Sequence, residues 1–144
     1  MSWEATLLDT EGVEVGMASI NAVAQGLEIS VTLSGIPDGR HGFHIHENGE
    51  CTAPDFTSAG GHFNPTGAQH GMESATGPHA GDMPNVIVEG GTGSLTFVNP
   101  YLSGSGFPGP NGASVVIHAG PDDYSTDPAG DSGARIACGV VGMG

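Results

Sequence analysis

The chain has 144 residues and a formal net charge of −14, with no lysine and two arginines. Its length suits one domain, residues 1–144, with room for a hydrophobic core. A surface this acidic repels phosphates and anionic lipid head groups, so neither nucleic acid nor a membrane is expected as a partner. No apolar run is long enough to cross a bilayer.

Short runs of alternating apolar residues predict β-strands along most of the chain. The high content of glycine (26) and proline (10) fits many turns between short strands. The eight predicted strands cover residues 3–7, 13–19, 27–33, 41–46, 85–88, 93–98, 114–119 and 135–141. Because no segment is typical of a long amphipathic helix, we expect an all-β fold, an eight-stranded antiparallel Greek-key sandwich or flattened barrel.

Two segments, 47–81 and 120–133, lack strand and helix periodicity and are predicted to be long loops. A loop as long as the first is uncommon inside a compact domain unless something orders it. Bound metal ions could offset the entropy that this loop loses on ordering.

Histidines on two predicted strands are candidate metal ligands. His44 and His46 stand two apart on the fourth strand, so their side chains point to the same face, while Phe43 and Ile45 face the core. His118 lies in an apolar strand, where a lone histidine is more often a hydrogen-bonded core residue. The pair on another strand shifts the interpretation of His118 towards a third ligand.

The first loop and the residue that follows it contain four further candidates, His62, His70, His79 and Asp82. Three imidazoles and one carboxylate make a tetrahedral zinc set, whereas imidazoles on a rigid sheet suit copper. His62 could also complete the strand histidines, because an imidazole that has lost both ring protons can bridge two metals. The alternative is that these are ordinary solvated loop histidines.

Two cysteines, Cys51 and Cys138, form either one disulfide or two unrelated thiols. The chain-entropy model credits a disulfide across so long a loop with about 4–5 kcal/mol of stabilisation. Such a bridge favours an oxidising compartment.

Four segments, in the same order, resemble the copper/zinc superoxide dismutase family, and the resemblance spans almost the whole chain. They are GFHIHE at 42–47, AGGHFNP at 59–65, HAGD at 79–82 and GARIACGV at 133–140. Four ordered motifs are a far more specific signal than any one alone. The position of Cys51, soon after His46, is similar to that in bacterial members.

The resemblance implies an enzyme that disproportionates superoxide to O₂ and H₂O₂ at copper, with a structural zinc bridged to the copper through His62. The implied copper ligands are His44, His46, His62 and His118. The implied zinc ligands are His62, His70, His79 and Asp82.

The resemblance also implies supporting roles. Asp122 matches an aspartate that ties a copper ligand to a zinc ligand through hydrogen bonds. Arg135 matches an arginine beside the copper that guides and docks the superoxide anion. Arg135 and the proton-carrying His62 are therefore the expected catalytic residues, whereas His41 corresponds to a structural histidine.

The implied disulfide between Cys51 and Cys138 favours a periplasmic or secreted location. No leader is visible before the first strand, so a cytoplasmic location is the alternative. Members of the family with such a site are dimers or monomers, which leaves a homodimer as one of two alternatives.

Substrate attraction is where this sequence differs from several relatives. Its second loop is short and carries no lysine, so Arg135 and the metals must supply most of the attraction for superoxide. We therefore expect activity to depend only weakly on salt concentration.

Two other functions could use the same ligands. A copper-buffering or delivery protein would not need Arg135 beside copper, and a structural sandwich stapled by zinc would never take up copper. The complete copper set together with Arg135 favours the enzyme.

Overall fold

The computed structural model describes residues 2–64, 79–124 and 132–143, which form an all-β fold. The strands are β1 Ser2–Asp9, β2 Glu14–Val23, β3 Gly26–Ser34, β4 Gly39–His41, β5 Phe43–His46, β6 Val86–Glu89, β7 Thr92–Asn99, β8 Ser114–His118, β9 Arg135–Val140 and β10 Gly142–Met143. The described part of the chain adds one short 3₁₀ helix, Thr57–Ala59. Within these same ranges, no helix has the length and hydrophobicity needed to span a membrane.

The strands form one antiparallel sheet in the order β4-β6-β7-β3-β2-β1-β9-β8-β5, and β10 pairs with β1. The first three strands make a meander, whereas β3–β7, β1–β9 and β5–β8 pair strands that are distant in sequence. Such pairings are typical of Greek-key connections. The two ends of the order, β4 and β5, are consecutive in the chain, so the sheet nearly closes into a barrel.

The structure confirms the predicted antiparallel barrel but differs in strand count, with nine strands in the continuous order and a short β10 beside them. The predicted fourth strand, residues 41–46, is divided at Gly42 into β4, which pairs with β6, and β5, which pairs with β8. The Gly42 N–H donates to Gly120 O, and the Gly42 carbonyl accepts from His118 N. The chain changes neighbours at this residue, as strands do at the corners of a barrel.

The core lies inside the barrel and anchors β5. Along β1, Trp3, Ala5 and Leu7 are buried while the residues between them are exposed, which is the two-residue period of a strand. Phe43 and Ile45 of β5 are fully buried in the same core. Each large apolar side chain contributes about 1.5–3 kcal/mol on burial, so β5 is held rigidly in place.

A smaller apolar cluster holds the start of the first loop. Phe56 and Ala59 pack against Val116 of β8 and Cys138 of β9, with Cys51 beside them. Cys51 and Cys138 form a disulfide, with their Cα atoms 5.7 Å apart. The loop is therefore attached to the sheet both covalently and by packing.

The outer edge of β5 holds two more segments of the first loop. The Ile45 N–H donates to Gly81 O at 2.9 Å, and the Ile45 carbonyl accepts from Phe63 N at 2.8 Å. Gly81 N also donates to Phe63 O at 2.9 Å. Both segments are thus hydrogen-bonded to one strand and to each other.

This pairing decides which polar side chains become neighbours. Isolated antiparallel bridges join His44 to Asp82 and His46 to His62. Main-chain hydrogen bonds thereby bring the loop ligands beside the strand ligands.

The close approach at Gly81 generates a prediction. A Cβ at this position would collide with the carbonyl oxygen of Ile45 and would also press on Phe63. We expect Gly81→Ala to lower the free energy of unfolding by about 1–3 kcal/mol, the usual effect of overpacking. Because the loop must move away from β5, its affinity for the zinc that the resemblance implies should fall as well. Urea unfolding of the metal-free protein and zinc titration measure the two effects.

Gly142→Ala is the matched control, because a Cβ there meets nothing within 4 Å. It should leave both measurements unchanged. A Gly81→Ala variant as stable as the control would show that the pairing with β5 does not hold the loop.

Candidate metal centre

Four buried histidines converge beside β5. His44 and His46 come from β5, His118 from the end of β8 and His62 from the first loop. Each is at most 7% exposed. One ligand atom from each lies within 4.8 Å of the corresponding atoms of the other three. The structure therefore brings together all the residues that the sequence predicts as copper ligands.

A local irregularity pairs His118 with Arg135. The ladder between β8 and β9 shifts register between Ile117 and His118, so that His118 pairs with Arg135. Bulges of this kind occur often beside active sites, where they redirect a side chain. Here the bulge sets a cationic residue on β9 directly opposite one member of the histidine group.

Hydrogen bonds to the far side of three of the rings fix which nitrogen faces the group. His46 Nδ1 donates to Gly60 O at 2.9 Å, and His118 Nδ1 donates to Gly133 O at 3.0 Å. His44 Nε2 donates to Asp122 Oδ2 at 2.6 Å. Each bond places the proton away from the group and leaves the opposite ring nitrogen as a lone-pair donor.

Burial keeps these imidazoles neutral. Desolvation lowers the pKa of His44 to about 3, against the raising effect of its hydrogen bond to Asp122. Desolvation likewise lowers the pKa of His118 to about 4 and holds that of His46 well below its usual range. Neutral imidazole is the form that binds metal, so the site is set for metal rather than protons at neutral pH.

A second group shares His62 with the first. His62, His79 and Asp82 each offer a ligand atom within 4.8 Å of the others, and all three are buried. His62 Nδ1 lies 2.8 Å from Asp82 Oδ1 and 3.1 Å from His79 Nδ1. The other carboxylate oxygen, Asp82 Oδ2, accepts a hydrogen bond from the main-chain N–H of His79 at 2.8 Å, which fixes the carboxylate. His70, the fourth predicted zinc ligand, lies outside the described residues.

The donor atoms fit the two metals that the resemblance implies. Nε2 of His46 and Nε2 of His118 are buried without a hydrogen-bond partner among the described residues, a costly arrangement unless a metal takes the lone pairs. An all-imidazole set suits copper, and imidazoles with a carboxylate suit zinc. His62 belongs to both groups, and its Nδ1 lies against Asp82 and His79, so the other ring nitrogen is the one available to the first group.

Arg135 is a cation placed across the β8–β9 ladder from the histidine group. Its side chain is half-buried, and Nη1 donates to the carbonyl oxygen of Phe56 at 2.9 Å. Phe56 belongs to the smaller apolar cluster that includes Cys138 of the disulfide, so the guanidinium is anchored by a rigid part of the loop. An anion that approaches the histidines would meet a fixed positive charge.

An acidic residue modifies the field of that charge. Asp55 and Arg135 line the same surface cavity of about 440 Å³, together with Pro54 and Ile136. Hydrogen bonds from Thr57 are the main cause of the lowered pKa of Asp55, and the positive charge of Arg135 adds to them. Burial lowers the pKa of Arg135, and the negative charge of Asp55 opposes this shift. Arg135 is therefore partly offset by an exposed carboxylate.

Some features of the site are not visible in the sequence. The hydrogen-bond acceptors for His46 and His118 are main-chain carbonyls, which carry no residue signature. Asn85 and Tyr124, which contact Asp122, also escape sequence reasoning because neither belongs to a recognisable motif. Only the proximity that folding creates identifies them.

His41 belongs to neither of the two groups that the described residues form. Its ring nitrogens lie 2.8 Å from His118 O and 2.7 Å from Pro37 O. These contacts tie β4 to the end of β8, which agrees with a structural part for this residue.

Comparison with known proteins gives consistent matches. A family model described as copper/zinc superoxide dismutase (SODC) matches residues 14–141. The chain is 45% identical to a protein of Aquifex aeolicus named Cu-Zn superoxide dismutase 2, over 95% of this chain and 84% of that protein. It is 44% identical to the Cu-Zn superoxide dismutase of Deinococcus radiodurans, over 94% of this chain and 81% of that protein.

Solved structures of proteins with similar sequences have the same fold as this chain. A Cu/Zn superoxide dismutase from Brucella abortus superposes with a TM-score of 0.83 at 32% identity, covering 97% of this chain and 99% of that one. A SOD-like protein from Bacillus subtilis superposes with a TM-score of 0.87 at 38% identity, covering 95% and 96%.

The lowered histidine pKa values predict how pH affects the metal-free protein. In the unfolded chain these imidazoles take up protons near pH 6.5, whereas in the folded chain His44 and His118 resist protonation until about pH 3 and 4. Between these limits the unfolded state binds more protons, so stability must fall as the pH falls. Each unit of lowered pKa corresponds to about 1.4 kcal/mol, so we expect a loss of several kcal/mol between pH 7 and 4.

Urea unfolding of the chelator-treated protein at a series of pH values measures this loss. A His44→Asn, His118→Asn double variant should show a shallower slope, because two of the titrating groups are gone while the carboxylates remain. Equal slopes for the two proteins would contradict the assignment.

Proposed function

The chain belongs to the copper/zinc superoxide dismutase family, and we propose that it holds copper through His44, His46, His62 and His118. It is an oxidoreductase that uses copper and zinc and acts on superoxide. The observation that carries the proposed site is the convergence of these four imidazoles within 4.8 Å, with Arg135 across the ladder from His118.

The copper set is supported by the tautomers of its rings. His46 and His118 present Nε2, while His44 presents Nδ1 because Asp122 accepts the proton on its Nε2. These three ligands are therefore each oriented by a hydrogen bond on the far side of the ring, as is usual for metal-binding histidines.

The zinc set is His62, His79 and Asp82, with His70 proposed from the family resemblance as the fourth ligand. The contact between His62 Nδ1 and Asp82 Oδ1 supports it, because both atoms are buried and directed at the same space. Zinc has no redox chemistry, so its part is to hold the loop and the bridging ring in place.

The reaction consumes two superoxide anions and two protons and yields O₂ and H₂O₂. Copper, when bound, supplies the one-electron chemistry of both half-reactions. Arg135 attracts the anion and orients it with a planar array of N–H donors. His62 would hold a proton at Nε2, the ring nitrogen that does not contact Asp82 or His79, and would give it to the peroxide as it forms. Solvent would supply this proton and the second one that the reaction consumes.

Arg135 is also what favours an enzyme over a copper-storage protein. Storage needs only the ligands, and a half-buried cation near the four histidines would weaken the binding of a positive ion. An anionic substrate, in contrast, would be attracted by that cation.

The finer assignments are also proposals. The single domain is taken to span residues 1–144. A periplasmic or secreted location is supported by the disulfide between Cys51 and Cys138, which oxidising compartments favour. A homodimer is proposed from the family resemblance, and sedimentation equilibrium would give the mass directly.

The function itself is tested by metal analysis coupled to a superoxide-removal assay, before and after copper is added. We expect one copper and one zinc per chain and activity only in the copper-loaded protein. His118→Ala should lose copper binding and activity while still binding zinc, because this residue belongs to the copper set alone.

Each alternative predicts a different result. A protein that never takes up copper would be a structural β-sandwich in which zinc only holds the loop. Full copper occupancy with no turnover would instead indicate storage or delivery.

Substitution of Arg135 tests how the substrate is attracted. We expect Arg135→Gln to lower kcat/KM by about tenfold or more, the range of local electrostatic steering, with copper still bound. Arg40→Gln is the matched control: it removes the only other arginine, which is exposed on β4, and should leave the rate unchanged. Stopped-flow measurement of superoxide decay gives both rates.

The same assay over a salt series checks the weak salt dependence expected of a lysine-free protein. The rate of the native chain should change little between low and physiological ionic strength, because attraction comes from one nearby cation rather than a wide field. A steep fall with salt, or an Arg135→Gln rate equal to that of the native chain, would contradict the assigned role.

A further inference from the structure

Asp122, whose carboxylate accepts the His44 ring proton, is itself held by two residues that neither metal set includes. Its main-chain N–H donates to Asn85 Oδ1 at 2.7 Å, and its carbonyl accepts from Asn85 Nδ2 at 3.0 Å. Its carboxylate oxygen Oδ1 accepts the Tyr124 N–H at 2.7 Å. Asn85 is 7% exposed and Asp122 3%, so solvent offers these groups little substitute.

Tyr124 and Asn85 are also bonded to each other. The Tyr124 hydroxyl oxygen accepts the Asn85 N–H at 3.0 Å and the Asn85 Nδ2–H at 3.1 Å. Asn85 immediately precedes β6, so these bonds connect the second loop to the barrel. The three residues form a closed ring of hydrogen bonds, which we call the Asn85–Tyr124 latch.

The backbone of Tyr124 adopts a conformation that costs free energy, so the contacts of the latch must hold it there. Its φ of 66° lies in the left-handed region, which a bulky non-glycine residue rarely adopts. Such a conformation persists only where its surroundings impose it, and residues of this kind cluster at functional sites. The conformation lets the main-chain N–H of Tyr124 reach Asp122 Oδ1 while its hydroxyl reaches Asn85.

The latch has a direct consequence for His44. With Oδ1 held by Tyr124, the other oxygen, Oδ2, is directed at His44 Nε2 at 2.6 Å. A proton fixed on Nε2 leaves Nδ1 as the lone-pair atom of this ring. If Asp122 could turn, His44 would be free to change tautomer or rotate.

We propose that Asn85 and Tyr124 are positioning residues for the copper site, which hold the Asp122 carboxylate on His44 and so present His44 Nδ1 to the metal. This inference rests on the proposed copper set. It extends the site beyond Asp122 to the barrel itself, through a tyrosine that touches neither metal group.

Tyr124→Phe is the direct test, because it removes only the hydroxyl. We expect its affinity for Cu(II), measured by competition with a chelator, to fall about tenfold, at the low end of the effect of outer hydrogen-bond partners. Its Cu(II) EPR spectrum should differ from that of the native protein, since the orientation of one ligand changes. Tyr101→Phe is the matched control: it alters the other tyrosine of the chain, which is 57% exposed, and should change neither readout.

The thermal midpoint of each metal-free variant shows whether it folds. Should Tyr124→Phe unfold, Asn85→Asp replaces it, because this change keeps the size and the Oδ1 acceptor while it removes the Nδ2 donors. A folded variant with native copper affinity and a native EPR spectrum would overturn the inference. A native protein that takes up no copper would instead overturn the proposed function, so the two failures are distinguishable.

Discussion

The main chain of Ile45 is the point on which the metal centre depends. Its side chain is buried in the barrel core, while its N–H and carbonyl bond to Gly81 and Phe63 on the outer edge of β5. Because side chains alternate along a strand, anchoring Ile45 inward turns both flanking histidines outward. The same residue thus orients two ligands through its side chain and recruits two loop segments through its backbone.

The metal-free site carries a cost that metal binding removes. Four imidazoles are buried close together, and desolvation lowers the pKa of His44, His46 and His118 so that these three stay neutral. Nε2 of His46 and of His118 would each forfeit about 1–3 kcal/mol as unsatisfied buried atoms. A cation that accepts these lone pairs converts the cost into binding energy, so metal affinity and folding stability are linked.

Much of this could be predicted from the sequence because strand period and ligand type are local properties. The alternation of His44 and His46 around Ile45 needs no more than a two-residue period. The division of strand 41–46 at Gly42 could not be predicted, because it depends on hydrogen bonds to residues far along the chain. Asn85 and Tyr124 were missed for a similar reason: their importance comes from a hydrogen-bonded ring that exists only in the folded state.

The acidic surface does not prevent an anionic substrate from reaching the site, because the surface charges and Arg135 act on the substrate at different distances. At physiological salt the Debye length is about 8 Å, so most of the −14 charge is screened from the site. Arg135 acts within that distance, and Asp55 limits how strongly it acts. The carbonyl oxygen of Phe56 anchors the Arg135 guanidinium, and Phe56 packs beside the Cys51–Cys138 disulfide. The disulfide that stabilises the loop therefore also fixes the positive charge that receives the substrate.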